Sequence, residues 1–223
     1  MQKRVLQLAP AMIALASFAS IGNAGEIVSN GGFELGSGGD ADGWNEISIF
    51  GGGAFASVLR SDLMPGAGDW GMRLEIAGAS DFGPLAEAQH QTALNSVAAG
   101  QMFDFSVDLK REGALGPGVV MFLEVQWLDS DGSNGGGVVG SSGAIQIAGL
   151  LTESYQSFGF DDIVAANNAD AALVILRLVG GALDGSDAVV YADNVSLRAV
   201  PAPSALGLGL AGLTLGARRR RRA

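Results

Sequence analysis

Cysteine is absent from the 223-residue chain, histidine occurs once, and only 13 lysines and arginines stand against 23 aspartates and glutamates. Without cysteine there is no disulfide framework, no thiolate nucleophile and no thiolate-bound metal, so the fold must rest on its own core. A His-based triad would need His90 itself beside a nucleophilic serine, and no Gly-x-Ser-x-Gly elbow occurs. The segment Ala86-Glu87-Ala88-Gln89-His90-Gln91 reads instead as a surface strand. Aromatic residues make up 7% of the chain, and helical periodicity is almost missing. Glycine is the opposite case. It occurs 35 times and clusters in breaks at 36–43, 51–53, 113–118, 132–143 and 180–185, which hold more than half of the copies at a spacing suited to strands joined by turns.

Basic residues gather at the two ends. Lys3 and Arg4 precede an apolar stretch from Val5 to Ala19, and Gly22-Asn23-Ala24 puts small residues where a signal peptidase reads. Residues 1–24 are therefore expected to be a cleaved signal peptide. At the other end, Val200-Pro201-Ala202-Pro203-Ser204 leads into a small apolar run to Ala217, closed by Arg218, Arg219, Arg220, Arg221 and Arg222. Such a segment has the electrostatics of a short transmembrane helix that leaves its cations on the cytoplasmic side. From Ser204 to Ala217 a helix would reach about 21 Å, against a hydrocarbon core of about 30 Å. Counting from Val200 and letting the arginines snorkel makes a thin span feasible.

In order and spacing this tail resembles the PEP-CTERM sorting signals of bacterial exported proteins, with Ala202 where that family usually has glutamate. The resemblance rests on Val200, Pro201, Pro203 and the arginines from Arg218, Arg219 and Arg220 onward. It implies an exosortase-type membrane protease as partner. The protein would then be exported and membrane-anchored facing outward through residues 200–223, or released to the cell surface or extracellular matrix if the tail is cut.

Residues 25–199 form one domain by length. All 23 acidic side chains lie in it, against six basic ones (Arg60, Arg73, Lys110, Arg111, Arg177 and Arg198), for a net charge of −17. That charge repels nucleic acid and anionic headgroups, and suits cations, neutral polymers or plain solubility. Met72-Arg73-Leu74-Glu75-Ile76 alternates apolar with charged residues, as a half-buried strand does. In 102–110, Phe103, Phe105, Val107 and Leu109 share one face while Asp104, Ser106, Asp108 and Lys110 share the other. The stretches 119–128 and 171–179 are apolar on nearly every position and read as central strands. The whole is expected to be all-β, an antiparallel β-sandwich.

Two islands refine that expectation. Ile27-Val28-Ser29-Asn30-Gly31-Gly32-Phe33-Glu34, with Gly43-Trp44 after it, resembles the opening of carbohydrate-binding-module-like jelly rolls of the broad galactose-binding-like class. Val190-Tyr191-Ala192-Asp193-Asn194-Val195-Ser196-Leu197 looks like their last strand. The resemblance implies two packed sheets with adjacent terminal strands, and a structural calcium held partly by Glu34 and Asp193. Independently, Val189, Tyr191, Asp193, Val195 and Leu197 fall on one row by the period of two, with Asp193 the only charge in an inward-facing set. A carboxylate so placed must be hydrogen-bonded, paired or metal-bound. The loop starting Asp129-Ser130-Asp131-Gly132 opens like a calcium loop, but Gly140 stands where an EF-hand needs glutamate, so it reads as a turn.

Glycan-binding jelly rolls commonly use planar polar side chains and stacked aromatics on one sheet face. Asp104, Asp108, Glu124, Gln126 and Arg177 would supply the hydrogen bonds here. If 102–110 and 118–128 form a hairpin, Asp104 comes opposite Glu124 and Met102 opposite Gln126. Trp127 falls on the inward row and Trp44 reads as structural, which leaves Trp70 as the exposed stacking candidate, with Tyr155 second and Phe122 offering a weaker surface. Three function classes stay open. The leading one is a noncatalytic surface protein associating with extracellular polysaccharide. The others are a structural or adhesive envelope protein, and a secreted carbohydrate-active hydrolase for which the dense Glu and Asp motif of jelly-roll glycosidases is missing.

Overall fold

The computed structural model describes residues 25–129 and 137–201. The expected signal peptide 1–24, most of the expected sorting tail and most of the Asp129-to-Asn134 turn therefore lie outside the described residues. In chain order the strands are β1 (Gly36–Ser37), β2 (Asp40–Ala41), β3 (Asn45–Ile49), β4 (Phe55–Ser61), β5 (Gly71–Ala77), β6 (Leu85–Gln91), β7 (Met102–Glu112), β8 (Val120–Leu128), β9 (Val138–Ser141), β10 (Ile145–Gln146), β11 (Gln156–Val164), β12 (Ala171–Val179) and β13 (Ala188–Ala199). A single 3-10 turn, Ala148–Leu150, is the only helical element among the described residues. All pairings are antiparallel. A six-stranded sheet runs β10-β8-β12-β6-β3 with β9 also on β8, and a five-stranded sheet runs β11-β7-β13-β5-β4. From β5 to β13 the chain crosses between sheets at β5/β6, β6/β7, β7/β8, β10/β11, β11/β12 and β12/β13, which is the winding of a jelly roll.

Alternation builds the core. Phe103, Phe105, Val107 and Leu109 of β7 and Met121, Leu123, Val125 and Trp127 of β8 are all buried, and they belong to one apolar cluster between the sheets. Phe103 and Trp127 meet across it with ring centroids 5.5 Å apart. Trp44 is buried as well, against Phe33 at 4.9 Å.

The hairpin expected between β7 and β8 does not form. β7 pairs with β11 and β13, whereas β8 pairs with β12, β9 and β10, so the two strands lie in opposite sheets. Period-two alternation identifies an inward face, but both sheets have one, and the connection from Gly113 to Val119 is long enough to cross the sandwich. Asp104 and Glu124 are therefore on opposite outer surfaces.

The terminal strands do lie together. Ile27 donates to the Leu197 carbonyl at 3.0 Å and Val195 to that of Gly31 at 2.9 Å. The Glu26 carboxylate fastens the same seam by accepting from the amides of Val28 and Leu197 and from the Ser196 hydroxyl. The single inward row expected along β13 is broken. Ala188, Val190 and Ala192 point into the core, then a bulge between Asp193 and Ser196, with Asn194 at φ 51°, shifts the phase so that Val195, Leu197 and Ala199 follow inward. Tyr191 and Asp193 thus belong to the outer side of their sheet. The expected surface position of His90 is also corrected: it sits on the inward row of β6 with Ala86 and Ala88 and is 2% exposed.

Candidate functional site

The outer face of the six-stranded sheet collects the polar side chains. In register, Asn45 stands opposite Gln89, Gln89 opposite Ile175, and Ile175 opposite Glu124. The next row is Ile47, Glu87, Arg177, Phe122 and Gln146, and the row on the other side joins Leu173, Gln126 and Ser141. Three of the sequence-derived ligand residues, Glu124, Gln126 and Arg177, are thereby brought onto one surface.

Hydrogen bonds pre-set much of this surface. Glu87 accepts from Arg177 Nε and from Gln89 Nε2, one on each oxygen, and is only 4% exposed although it faces outward. On β8, Glu124 Oε1 accepts from Gln126 Nε2 at 3.1 Å and from the Ser141 hydroxyl at 2.7 Å. Each polar group is thus oriented by a neighbour before a ligand arrives, which lowers the ordering cost of binding. Phe122 and Leu173, both half-buried, supply apolar area between the polar pairs. Planar amides, a guanidinium and a carboxylate next to partly exposed hydrocarbon suit a ligand with hydroxyl edges and apolar C–H faces.

The other expected ligand residues lie elsewhere. Asp104 is exposed on the outer face of the five-stranded sheet, where its Oδ1 accepts from the Asp162 amide at 3.0 Å. Trp70 sits in the loop between β4 and β5, half-buried, with the Arg60 guanidinium 3.6 Å above its ring. Arg60 is itself buried and donates to the carbonyls of Phe33 at 2.6 Å and Glu34 at 2.7 Å. Tyr155 is half-buried and bonds through its hydroxyl to the Met64 carbonyl at 2.7 Å. Of the expected sorting-signal residues, Val200 donates to the Met102 carbonyl at 2.8 Å and Pro201 is exposed. Pro203, Arg218, Arg219 and Arg220 lie outside the described residues.

Glu34 and Asp193 converge on the loop joining β4 to β5. Asp193 is fully buried; its Oδ2 accepts from the amides of Gly66 and Ala67, each at 2.8 Å, and its Oδ1 from Asn194 at 2.7 Å. Glu34 Oε1 accepts from Asp69 at 3.0 Å and Trp70 at 3.2 Å. Burial pushes the Asp193 carboxyl above its ordinary value; the three amides oppose the shift, and the charge of Glu34 adds to it. Two hard oxygen donors, the buried one made harder to charge by the other, fit a hard cation in donor type. Among the described residues no third acidic or histidine side chain joins them, so further ligands would be neutral oxygens.

Asn45, Glu87 and Gln89 were missed in the sequence. The signal was present as the alternation of β6, but its inward row, Ala86-Ala88-His90, has no large apolar side chain to mark it.

No family model and no curated protein matches the chain. Solved structures do. The enzymatically active domain of Bacteriophage CBA120 tailspike protein 4 is similar with a TM-score of 0.58 and 14% identity over 78% of this chain, which spans 21% of that one. A cyclase from Fischerella sp. TAU, solved in complex with 4-(1H-indol-3-yl)butan-2-one, is similar with a TM-score of 0.52 and 19% identity over 81% of this chain and 100% of that one. The C-terminal family 22 carbohydrate binding module of Clostridium thermocellum Xyn10B gives a TM-score of 0.45 at 16% identity, over 83% of this chain and 98% of that one. The first two likenesses show the fold, and identities this low carry no residue roles across.

Proposed function

We propose that the protein is a noncatalytic, exported surface protein that binds extracellular polysaccharide through the outer face of its six-stranded sheet. The observation that carries the reading is the gathering of Glu124, Gln126 and Arg177 with Asn45, Glu87 and Gln89 on one outer surface, beside Phe122. Planar polar side chains that are oriented by one another and interleaved with hydrocarbon match the two chemistries of a sugar ring. The noncatalytic part is supported by Glu87, whose two oxygens are committed to Arg177 and Gln89. Glycosidic cleavage needs one carboxyl free to give a proton and a second free to attack or to activate water, both aimed at one bond.

Export and surface retention are proposed from the ends of the sequence. The leader-like residues 1–24 direct the chain outward, and an exosortase-type protease with the membrane receives the tail at 200–223. Calcium belongs to the same proposal: Glu34 and Asp193 would hold it, tying the β4–β5 loop to both terminal segments. The test is retention of the full-length protein on a panel of neutral and acidic polysaccharides, with calcium and with a chelator. Binding by wild type is expected to fall about tenfold or more in Arg177→Ala, the order for a hydrogen bond made by a charged group, and severalfold in Gln126→Ala, the order for a neutral one. Retention on no polymer sinks the glycan reading and favours a structural envelope protein, whereas hydrolysis of a retained polymer that is lost in Glu124→Gln overturns the noncatalytic one.

A further inference from the structure

We propose that the cavity at the β10 edge of the six-stranded sheet is a terminal subsite of the glycan face, and that it takes a sugar bearing a carboxylate at the end of a chain lying across that face. The inference rests on the glycan reading above and names the ligand more closely. The cavity holds about 450 Å³ and lies between the β7–β8 connection and the 3-10 turn, lined by Arg111, Leu115, Val119, Gln146, Ala148 and Leu151 among others. That is a volume in the range of small-molecule sites, in a wide-mouthed depression open to solvent rather than an enclosed chamber.

Gln146 joins the cavity to the sheet face. It stands opposite Phe122, which stands opposite Arg177, so Gln146 is both the last member of the row that begins at Ile47 and a wall of the cavity. Neighbouring strands lie about 4.8 Å apart, so the four steps of this row cover about 19 Å. A short oligosaccharide laid across the strands fills that distance and delivers its end into the cavity.

Arg111 gives the cavity its charge preference. Its Nε donates to the Leu151 carbonyl at 2.9 Å and its Nη1 to the Gly113 carbonyl, so neutral groups orient the guanidinium without cancelling its charge. The carboxylate paired with it, Glu153, is 3.6 Å away on a side chain 70% exposed. Solvent screens such a pair heavily. Arg177, the guanidinium of the row itself, is already matched by the buried Glu87. A planar cation held by carbonyls, in a wall otherwise made of Gln146 and apolar or glycine residues, selects a carboxylate. The domain argues against more than one. With 23 acidic and six basic side chains in residues 25–199 it repels a polyanion. The ligand class that fits is an otherwise neutral oligosaccharide ending in a hexuronic acid.

The test measures binding of the full-length protein to arrayed oligosaccharides ending in glucuronate or galacturonate, each beside its carboxyl-reduced form. Wild type is expected to hold the acid-ended form about tenfold or more tighter than the reduced one, the size of a charge-assisted hydrogen bond. Arg111→Gln should erase that preference and keep the binding of the reduced form. Because Arg111 also orders two carbonyls, Gly149→Trp is the second variant. A Cβ there meets nothing within 4 Å and Gly149 is part of the cavity wall, so the fold admits a bulky side chain at the cavity's rim. It should lose the preference too. Equal binding of both forms by wild type, or a preference that survives Gly149→Trp, overturns the subsite; if binding is then still lost in Gln126→Ala, the sheet-face reading stands. Binding to no oligosaccharide overturns both.

Discussion

Asp193 and His90 show how much one buried polar side chain can hold. Three backbone amides end on the Asp193 carboxylate, two of them from a loop more than 120 residues away in sequence. Asp193→Ala strands them together, and it is expected to cost about 2–4 kcal/mol, the range for buried donors left without an acceptor. Urea unfolding of the full-length protein measures it, and a loss within about 0.5 kcal/mol of wild type, the scale of ordinary surface substitutions, would show that the loop does not depend on this carboxylate. His90 acts through its ring. Nδ1 lies 2.8 Å from the Gly43 carbonyl and Nε2 accepts from the Ser29 amide at 3.3 Å, so the neutral tautomer with its proton on Nδ1 satisfies both. Burial holds the imidazole below its ordinary pKa of 6.5, opposed by the Gly43 hydrogen bond and the charge of Glu26. The unfolded chain therefore takes up this proton first as pH drops, and stability due to His90, fully present above about pH 7, falls as pH passes down through about 6.5 toward the folded value. Glu46 and Asp193, whose carboxyls are raised by burial, bend the curve the other way. The difference between wild type and His90→Gln isolates the ring, because the sequence contains no second histidine. That difference should shrink from pH 8 to pH 5.5, and a pH-independent difference would mean that the ring does not titrate in this window.

At the scale of the element, alternation was legible and pairing was not. The inward rows of β7 and β8 stand in the sequence as Phe103-Phe105-Val107-Leu109 and Met121-Leu123-Val125-Trp127, and both are buried. Alternation specifies a face, yet it says nothing of which sheet a strand joins, so Asp104 and Glu124 were placed together although the sandwich separates them. The outer surface built by Glu124, Gln126 and Arg177 was legible for the same reason that its partners on β6 were not: a row of alanines and one histidine carries little apolar contrast. The bulge in β13 escaped because one extra residue reverses the phase and leaves no mark in composition. Its neighbour across the seam does carry a mark. A Cβ on Gly31 would stand 1.9 Å from the Val195 carbonyl oxygen, a backbone atom that cannot swing aside. Gly31→Ala is thus expected to unseat the N-terminal arm and lower the thermal midpoint by several degrees, about 3 kcal/mol or more on the scale of severe steric substitutions. Gly25→Ala, where a Cβ meets nothing within 4 Å, is the matched control and should leave the midpoint unchanged. Equal midpoints for the two variants would show that the arm tolerates displacement.

For the whole molecule, charge and topology meet at one end of the sandwich. Glu34 lies near the start of the domain and Asp193 on its last strand, and both grip the loop between β4 and β5, so the first segment, the last strand and an internal connection depend on two carboxylates. In a domain of charge −17 that arrangement concentrates repulsion where the chain must close. Sodium chloride screens the general repulsion over a Debye length of about 8 Å at physiological ionic strength, and it should raise the thermal midpoint modestly. Calcium bound at the two carboxylates would act differently. It stabilises the folded state by mass action, about 2.7 kcal/mol at a hundredfold excess over its dissociation constant, and saturates. The expected result is a calcium-induced rise in midpoint beyond that of sodium chloride at equal ionic strength, lost in Asp193→Asn and in Glu34→Gln. Asp193→Asn keeps one acceptor oxygen for the loop amides, so it separates the cation's contribution from theirs. Identical responses of wild type to calcium and to sodium chloride would remove the cation, and would leave the five amides as the whole reason for placing two carboxylates at this closure.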